Sequence, residues 1–493
     1  MLHLEKWRLK PLDHQVVGVE RQVEEPAFAL FDEMGLGKSY QVIMTACELF
    51  IRGKVDLVMI VCPASAVRAV WADRVMGEIT AHTWVPYVTY VYNSKGLLKL
   101  HESQPQSPRL AFVVTNYECI RKVTKVKRRR TYPRVDHLGK LVKGRKVQLV
   151  VDESSYVAYP DSAQTRATYA LRQHADRVVI LNGTPYANNV GSFYPQYKML
   201  DAKILGVPTF TEYRRKYCAV DIWNNPRGWL NDEVEQDFIR RTAPYTLRRT
   251  KNECLDLPPK LYTRREVALS KETWRLYTEM RDNMIAWLDD ERAATAAQAV
   301  VKIVRLTQLT SGIIGGIEGE ENYIHSSEKT DFVIDLIKAE ITQQPKIIVW
   351  SQFRLERADL YKRLREKGIT SYQIYGGQKD TERHEAIRIF SDVNSTEPAV
   401  LLAQPRAGGI GLNLVTSALA IYISNGYSHV ARLQSEDRIH RMGQRRPCSI
   451  LDVLAVGPAG QKTWDHAVLK ALTDKDDMEK WTTDLWKKAL LAA

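Results

Sequence analysis

Asp32-Glu33-Met34-Gly35-Leu36-Gly37-Lys38-Ser39 follows an apolar run at 27–31 and opens a helical pattern over Lys38–Ile51. Strand, glycine-containing loop and helix start in that order form the setting of a phosphate-binding loop. Gly35 and Gly37, with Met34 and Leu36 beside them, let backbone N–H groups approach phosphate oxygens. Lys38 supplies a point charge at the β and γ phosphates, and the Ser39 hydroxyl can coordinate Mg²⁺. The N-terminus of the following helix adds its own attraction for an anion. The first position of the GxxxxGK[ST] pattern is Asp32 rather than glycine, so the pattern is met in part. Taken alone, the stretch reads equally well as a glycine-rich turn.

A second stretch tips that balance. Val147-Gln148-Leu149-Val150-Val151-Asp152-Glu153 is an apolar strand ending in two acids. Acids at the carboxyl end of a parallel strand stand where ligands bind. Asp152 can hold Mg²⁺ and Glu153 can orient an attacking water. Together the two stretches point to nucleoside triphosphate hydrolysis.

Outward from these motifs the chain alternates short β-branched runs with helical patterns. Residues 27–31, 56–62, 110–115, 147–151 and 178–181 read as buried strands. The pattern resumes at 347–350, 372–375, 399–403 and 420–424, with helix-like 331–342 and 355–367. Such alternation predicts βαβ units and parallel sheets. The stretch between is richer in charge and aromatics and reads as mostly helical. The expectation is an α/β protein: a nucleotide-binding lobe over 1–195, a helical insertion region over 196–330, a second parallel-sheet lobe over 331–460 and a C-terminal helical brace over 461–493.

Composition excludes several classes. The chain has 493 residues, 44% hydrophobic and 26% charged, which is too apolar for a disordered protein. Cys47, Cys62, Cys119, Cys218, Cys254 and Cys448 show no CxxC spacing, so reduced thiols are expected rather than a zinc module or disulfide framework. The first eleven residues lack the apolar core of a signal peptide, and 55–67 is broken by Asp56 and Pro63 and too short to span a bilayer. The expectation is a soluble intracellular protein with no membrane partner. Lys plus Arg number 71 against 58 for Asp plus Glu, a net charge of +13 that points to an anionic partner.

The motifs, in their order, resemble those of the Swi/Snf-type ATPases of helicase superfamily two, over about residues 9 to 475. Residues 32–39 resemble motif I, Cys62-Pro63-Ala64-Ser65 with Trp71 motif Ia, and Thr115-Asn116-Tyr117-Glu118 motif Ib. Asp152-Glu153-Ser154-Ser155 stands at motif II, and Leu181-Asn182-Gly183-Thr184-Pro185 at motif III. Leu247-Arg248-Arg249-Thr250-Lys251, followed by Leu257-Pro258-Pro259-Lys260, is similar to a signature peculiar to the family. In the second half, Trp350-Ser351-Gln352-Phe353 resembles motif IV and Tyr375-Gly376-Gly377 with Arg383 the segment after it. Residues 406–414 resemble motif V and 434–444 motif VI. Ser155 replaces the usual His of motif II, Ala158-Tyr159 the Lys-Asn that often follows, and Asn182 a common Thr in motif III.

The resemblance implies two RecA-like lobes with ATP and Mg²⁺ in the cleft between them. Lys38, Ser39, Asp152 and Glu153 would come from the first lobe, and Gln15 would read the adenine. Gly411 would also line the nucleotide. Arg438 and Arg441 would act as arginine fingers, and their spacing of three would place both on one helix face. Such a finger is worth roughly 10³–10⁵ in rate in other NTPases. The implied partner is double-stranded DNA, gripped through phosphates without sequence readout, with branched or single-stranded DNA a further possibility. Ser65, Thr115, Ser351, Arg406 and Asn413 stand at the family's DNA-contact positions. A monomeric translocase in the cytoplasm of a bacterium or virus-infected cell is the leading expectation. A strand-separating DNA or RNA helicase and a non-catalytic nucleic-acid-binding scaffold are the alternatives.

The charge excess is local. Residues 121–146 carry 12 Lys and Arg against the single acid Asp136, while the remainder holds 59 basic and 57 acidic residues. This segment, with Lys127, Arg128, Arg129 and Arg130 at its heart, precedes a strand that a shorter connection would reach. It reads as a removable insertion and a DNA grip, or else as a solvated loop or nuclear-localisation match.

Overall fold

The computed structural model describes residues 2–75, 77–104, 107–126, 129–183, 190–221, 224–289, 296–314, 323–378, 380–405 and 412–474; the side chains at 125–130, 286–302 and 380 are outside that description. Lys127, Arg128, Arg406 and Gly411 therefore lie outside the described residues, as do Thr184 and Pro185, and of Arg129 and Arg130 only the backbone is described. The chain divides into two units, Met1–Asp256 and Leu257–Ala493.

Unit one is built on an eight-stranded sheet ordered Thr246–Leu247, Ala27–Leu30, Arg177–Leu181, Val147–Val151, Leu57–Cys62, Leu110–Asn116, Tyr87–Asn93, Gly96–Glu102. Every neighbouring pair is parallel except the last, a hairpin between Tyr87–Asn93 and Gly96–Glu102. Leu57–Cys62 and Val147–Val151 are buried along their whole length. That explains why they read as unbroken apolar runs, since helices cover both faces of a parallel sheet. Their carboxyl ends lead to Pro63-Ala64-Ser65 and Asp152-Glu153, and Ala27–Leu30 leads to the glycine loop, so the motifs gather along one sheet edge.

Unit two carries a six-stranded, all-parallel sheet ordered Lys260–Ala268, Cys448–Val456, Leu419–Tyr422, Lys346–Trp350, Ala399–Ala403, Ser371–Ile374. The expected pair of parallel-sheet α/β lobes is thus present. Two strands of the second sheet escaped the sequence reading. Lys260–Ala268 is polar and largely exposed, yet pairs with Cys448–Val456 along its whole length. An edge strand with solvent on its faces carries no apolar signal.

The stretch 196–330 divides between the units. Helices Phe193–Leu200, Phe210–Tyr217 and Asp232–Thr242 pack on unit one through an aromatic cluster, with Phe238 centred 5.1 Å from Phe193 and 4.8 Å from Trp229. Helix Lys271–Asp289 and helix Ala296–Thr310 belong to unit two. There Tyr277, Leu306 and Leu309 pack against Trp464, Val468 and Leu472 of helix Trp464–Thr473. No helix among the described residues is long and apolar enough to cross a membrane.

The basic segment is not a removable insertion as a whole. Its first part is a two-stranded hairpin, Thr124–Val126 with Arg129–Thr131. Its second part is helix Pro133–Leu141, whose Val135 and Leu138, with Val142 just beyond, are buried in the core of unit one. Arg145 pairs with Asp56 at 2.8 Å, and the Tyr92 hydroxyl meets His137 Nδ1 at 3.0 Å. The charges on this helix hid a short apolar stripe that the sheet needs.

Candidate nucleotide site

The loop after Ala27–Leu30 turns on two glycines. Gly35 has φ 90° and Gly37 φ 77°, a left-handed conformation that L side chains rarely adopt. Gly37 is the N-cap of helix Lys38–Ile51. The ammonium of Lys38 rests on the loop's own carbonyls, donating to Asp32 O at 2.7 Å and Glu33 O at 3.3 Å. Ser39 is half-buried in the first turn of the helix.

Two residues from helix Asp13–Glu24 brace the loop. Gln15 accepts from Leu12 N at 3.1 Å and donates to Leu36 O at 3.4 Å. A Cβ on Gly37 would lie 2.5 Å from Gln15 Nε2, so a side chain there would displace the Gln15 amide besides straining the backbone at φ 77°. The His14 ring meets Leu36 O through Nε2 at 3.1 Å. Burial lowers the His14 pKa, favouring a neutral ring that donates through Nε2–H. Gly183 closes the loop from the other side: a Cβ there would meet Met34 Cγ at 2.4 Å and approach Lys38 Nζ to 3.5 Å.

Asp152 and Glu153 face this loop from the next strand but one. Burial raises the Asp152 carboxyl pKa, while the Trp71 hydrogen bond and the Lys38 charge act in the opposite sense. Its Oδ2 accepts from Trp71 Nε1 at 2.8 Å, its Oδ1 from Glu153 N at 3.0 Å, and its backbone carbonyl from the Tyr117 hydroxyl at 2.6 Å. Tyr117 in turn stacks on Tyr156, with ring centres 5.0 Å apart. Glu153 sits at φ 52°, ψ 60°, a conformation costing a non-glycine residue about 1–3 kcal/mol. Strain of that kind persists where the surroundings over-determine a side chain. Ser154 is buried and donates to Gln196 Oε1 at 2.6 Å; Ser155, at the position of the usual His, is half-buried.

The donor set suits Mg²⁺. Each Asp152 oxygen accepts one hydrogen bond and keeps a lone pair, and Ser39 adds a hydroxyl, both hard oxygen ligands. No cluster of three or more His, Cys, Asp or Glu side chains that could hold a metal occurs among the described residues, so such an ion would take its other ligands from phosphates and water.

In unit two, helix His429–Glu436 is locked by Arg432. Its guanidinium lies 3.5 Å over the Tyr422 ring, forks onto Asp452 at 2.6 and 3.0 Å, and reaches Glu436 at 2.8 Å. Arg438 and Arg441 were expected on one helix face, and the structure corrects this. The helix ends at Glu436, and beyond it the backbone makes tighter bonds such as Arg438 N to Ser435 O and Ile439 N to Glu436 O. Both arginines stand in these turns. They are tied to the neighbouring segment through Leu414 N to Arg438 O at 3.0 Å and Arg441 Nη1 to Leu412 O at 3.2 Å. Gln444 reinforces the junction by donating to Val415 O, Ser417 O and Ile439 O.

The residues proposed for DNA contact fall into two groups. Ser65 is half-exposed and Asn413 exposed. Thr115 and Ser351 are fully buried: the Thr115 hydroxyl donates to Tyr92 O at 2.9 Å, and that of Ser351 to Glu356 at 2.6 Å. Sequence reasoning assigned no role to Trp71, Tyr117, Gln41 or Arg249 at the nucleotide site. Three of them lie in motifs quoted above, but a single sequence does not show which side chains converge.

The SNF2-related domain family matches residues 16–311, and the Helicase conserved C-terminal domain family matches 328–443. An "Uncharacterized ATP-dependent helicase" of Mycoplasma pneumoniae is 26% identical over 97% of this chain and 42% of its own length. The "SWI/SNF-related matrix-associated actin-dependent regulator of chromatin subfamily A-like protein 1" of Drosophila melanogaster is 23% identical over 88% of the chain and 51% of its own. This chain therefore spans about half the length of such relatives or less. A solved structure, "Sulfolobus solfataricus SWI2/SNF2 ATPase core in complex with dsDNA", aligns with 99% of the chain and 98% of its own at 19% identity and a TM-score of 0.43. With its family match covering more than half its length, the chain belongs to the SNF2-related domain family.

Proposed function

We propose that this chain is a DNA-stimulated ATPase that translocates on double-stranded DNA, remodelling DNA structures or protein–DNA complexes. The convergence of Lys38, Asp152 and Glu153 on one sheet edge, in a chain of this family, carries the reading. Lys38 leaves the carbonyls of Asp32 and Glu33 to hold the β and γ phosphates. Ser39 and Asp152 hold Mg²⁺, which when bound offsets charge on the phosphate oxygens. Glu153 orients the attacking water, and Arg438 and Arg441 supply positive charge to the transferring phosphoryl group. Gln15 and Gly411 complete the nucleotide contacts.

Ser65, Arg406 and Asn413 contact phosphates, while Thr115 and Ser351, whose buried hydroxyls bond Tyr92 O and Glu356, hold the carboxyl ends of their own strands. The basic segment with Lys127, Arg128, Arg129 and Arg130 adds an electrostatic grip. The motor works as a monomer in the cytoplasm and also accepts branched or single-stranded DNA. The test is ATPase activity without nucleic acid and with duplex DNA, single-stranded DNA or RNA. Duplex DNA should stimulate most, and stimulation by RNA alone would overturn the assignment.

Strand separation is a second reading, favoured by the helicase name of the mycoplasma relatives. Displacement of a triplex strand without unwinding of a duplex decides for translocation. Unwinding decides for a helicase.

A further inference from the structure

Asp32 occupies the position where the generic phosphate-binding pattern has glycine, and it is fully buried. A buried carboxylate is costly unless it is paired. Its partner is Arg249, whose Nε donates to Asp32 Oδ1 at 2.9 Å while Nη2 donates to Oδ2. The same guanidinium reaches His14 O and Gln41 Oε1, and Gln41 Nε2 donates to Asp32 Oδ2 at 3.1 Å. Gly18 makes room for this group, since a Cβ there would lie 1.8 Å from Gln41 Oε1 and 3.1 Å from Arg249 Nη2. The backbone runs in parallel with the side chains: Phe31 N to Leu247 O at 2.8 Å, Glu33 N to Arg249 O at 2.9 Å, and Lys251 N to the Glu33 carboxylate at 2.8 Å.

We infer that Arg249 is a positioning residue for the nucleotide loop, a role that rests on the ATPase reading and deepens it. The carbonyls of Asp32 and Glu33, on which Lys38 rests, belong to the two residues that the 247–251 segment grips. Arg249 thereby sets the edge from which Lys38 swings to phosphate. It also neutralises a carboxylate that would otherwise oppose an incoming polyphosphate. The fork geometry is specific to arginine, because lysine offers a point charge without the paired donors.

The experiment compares Arg249→Gln, Arg249→Lys, Asp32→Asn and the Asp32→Asn/Arg249→Gln double variant. It measures affinity for a fluorescent ATP analogue, KM and kcat for ATP, and melting temperature. Arg249→Gln should weaken analogue binding and raise KM about tenfold or more, with a smaller change in kcat, as expected when a group outside the reacting atoms misplaces one inside. Arg249→Lys should fall between it and the parent. The double variant should recover most of the affinity, because it removes both charges, and this non-additivity is the mark of a direct pair. Parental affinity in Arg249→Gln, or strictly additive effects, would overturn the inference. If Arg249→Gln does not fold, Arg249→Lys carries the test, and parental affinity there overturns it equally. Lys38→Ala separates the two levels. If it loses analogue binding while the Arg249 variants keep it, only the positioning role falls; if Lys38→Ala binds normally, the ATPase reading itself falls.

Discussion

Trp71 Nε1 donates to Asp152 Oδ2 at 2.8 Å, joining side chains 81 positions apart. Trp71 is fully buried in a short π-helical turn, Val67–Ala72, that begins just after Ser65. A hydrogen bond to a charged group contributes roughly 1.5–3 kcal/mol. Trp71→Phe keeps the aromatic bulk and deletes the donor. It should raise the Mg²⁺ concentration needed for half-maximal binding of an ATP analogue and lower kcat. An unchanged Mg²⁺ requirement would separate the indole from the metal carboxylate.

Lys38→Ala and Glu153→Gln should fail in different ways. The first should weaken ATP binding and abolish turnover. The second should bind ATP normally while turnover falls by about 10²-fold or more, the scale for losing a positioned proton acceptor. Equilibrium binding and single-turnover hydrolysis distinguish the two.

Arg441→Ala should spare ATP binding and reduce hydrolysis about 10³-fold, as for other arginine fingers. Nucleotide affinity measured beside kcat checks it, and normal hydrolysis would remove Arg441 from the reaction.

Replacing 124–131 with a short Gly-Ser turn should weaken DNA binding and flatten its salt dependence. The log–log slope should drop by about 0.9 for each DNA phosphate that the variant no longer neutralises. Removing 123–146 instead should unfold unit one, because Val135, Leu138 and Val142 go with it. Salt titrations of the first variant and a melting curve of the second test the division within the segment.

Glu48, buried on the nucleotide-loop helix, gives a pH signature. Burial alone would raise its carboxyl pKa, but hydrogen bonds from His3 and Trp7 outweigh this and hold it below its ordinary 4.5. Arg52 adds a charge at 3.6 Å. Folding therefore favours the ionised form. The stability it contributes is complete above the unfolded pKa and is lost as pH falls through the lower, folded value. Glu48→Gln should melt several degrees below the parent at neutral pH, and the gap should narrow under acid conditions. A gap independent of pH would refute the assignment.

The alternating apolar runs made the parallel sheets legible, and the glycines just before Lys38 marked the loop, because both are local signals. What stayed hidden is long-range. Nothing near Arg249 in the sequence reveals that it answers Asp32, and nothing near Thr115 or Ser351 reveals that their hydroxyls turn inward to Tyr92 and Glu356. Strand Lys260–Ala268 was missed because sheet pairing rather than side-chain burial defines it. The opposite error arose at 133–142, where surface charge masked core residues.

The pairing of Asp32 with Arg249 also bears on the order in which the protein is made. At roughly 5–20 residues per second, ribosomal synthesis separates these partners, 217 positions apart, by about 10–40 s. During that interval the nascent chain already contains every glycine of the loop, yet Asp32 has no guanidinium to meet and must remain hydrated. The loop is therefore among the last parts of unit one to mature. A chain released before residue 249 would carry the whole GxGKS sequence, with Gln15 and Gln41 in place to brace it, but without the guanidinium that pairs with Asp32.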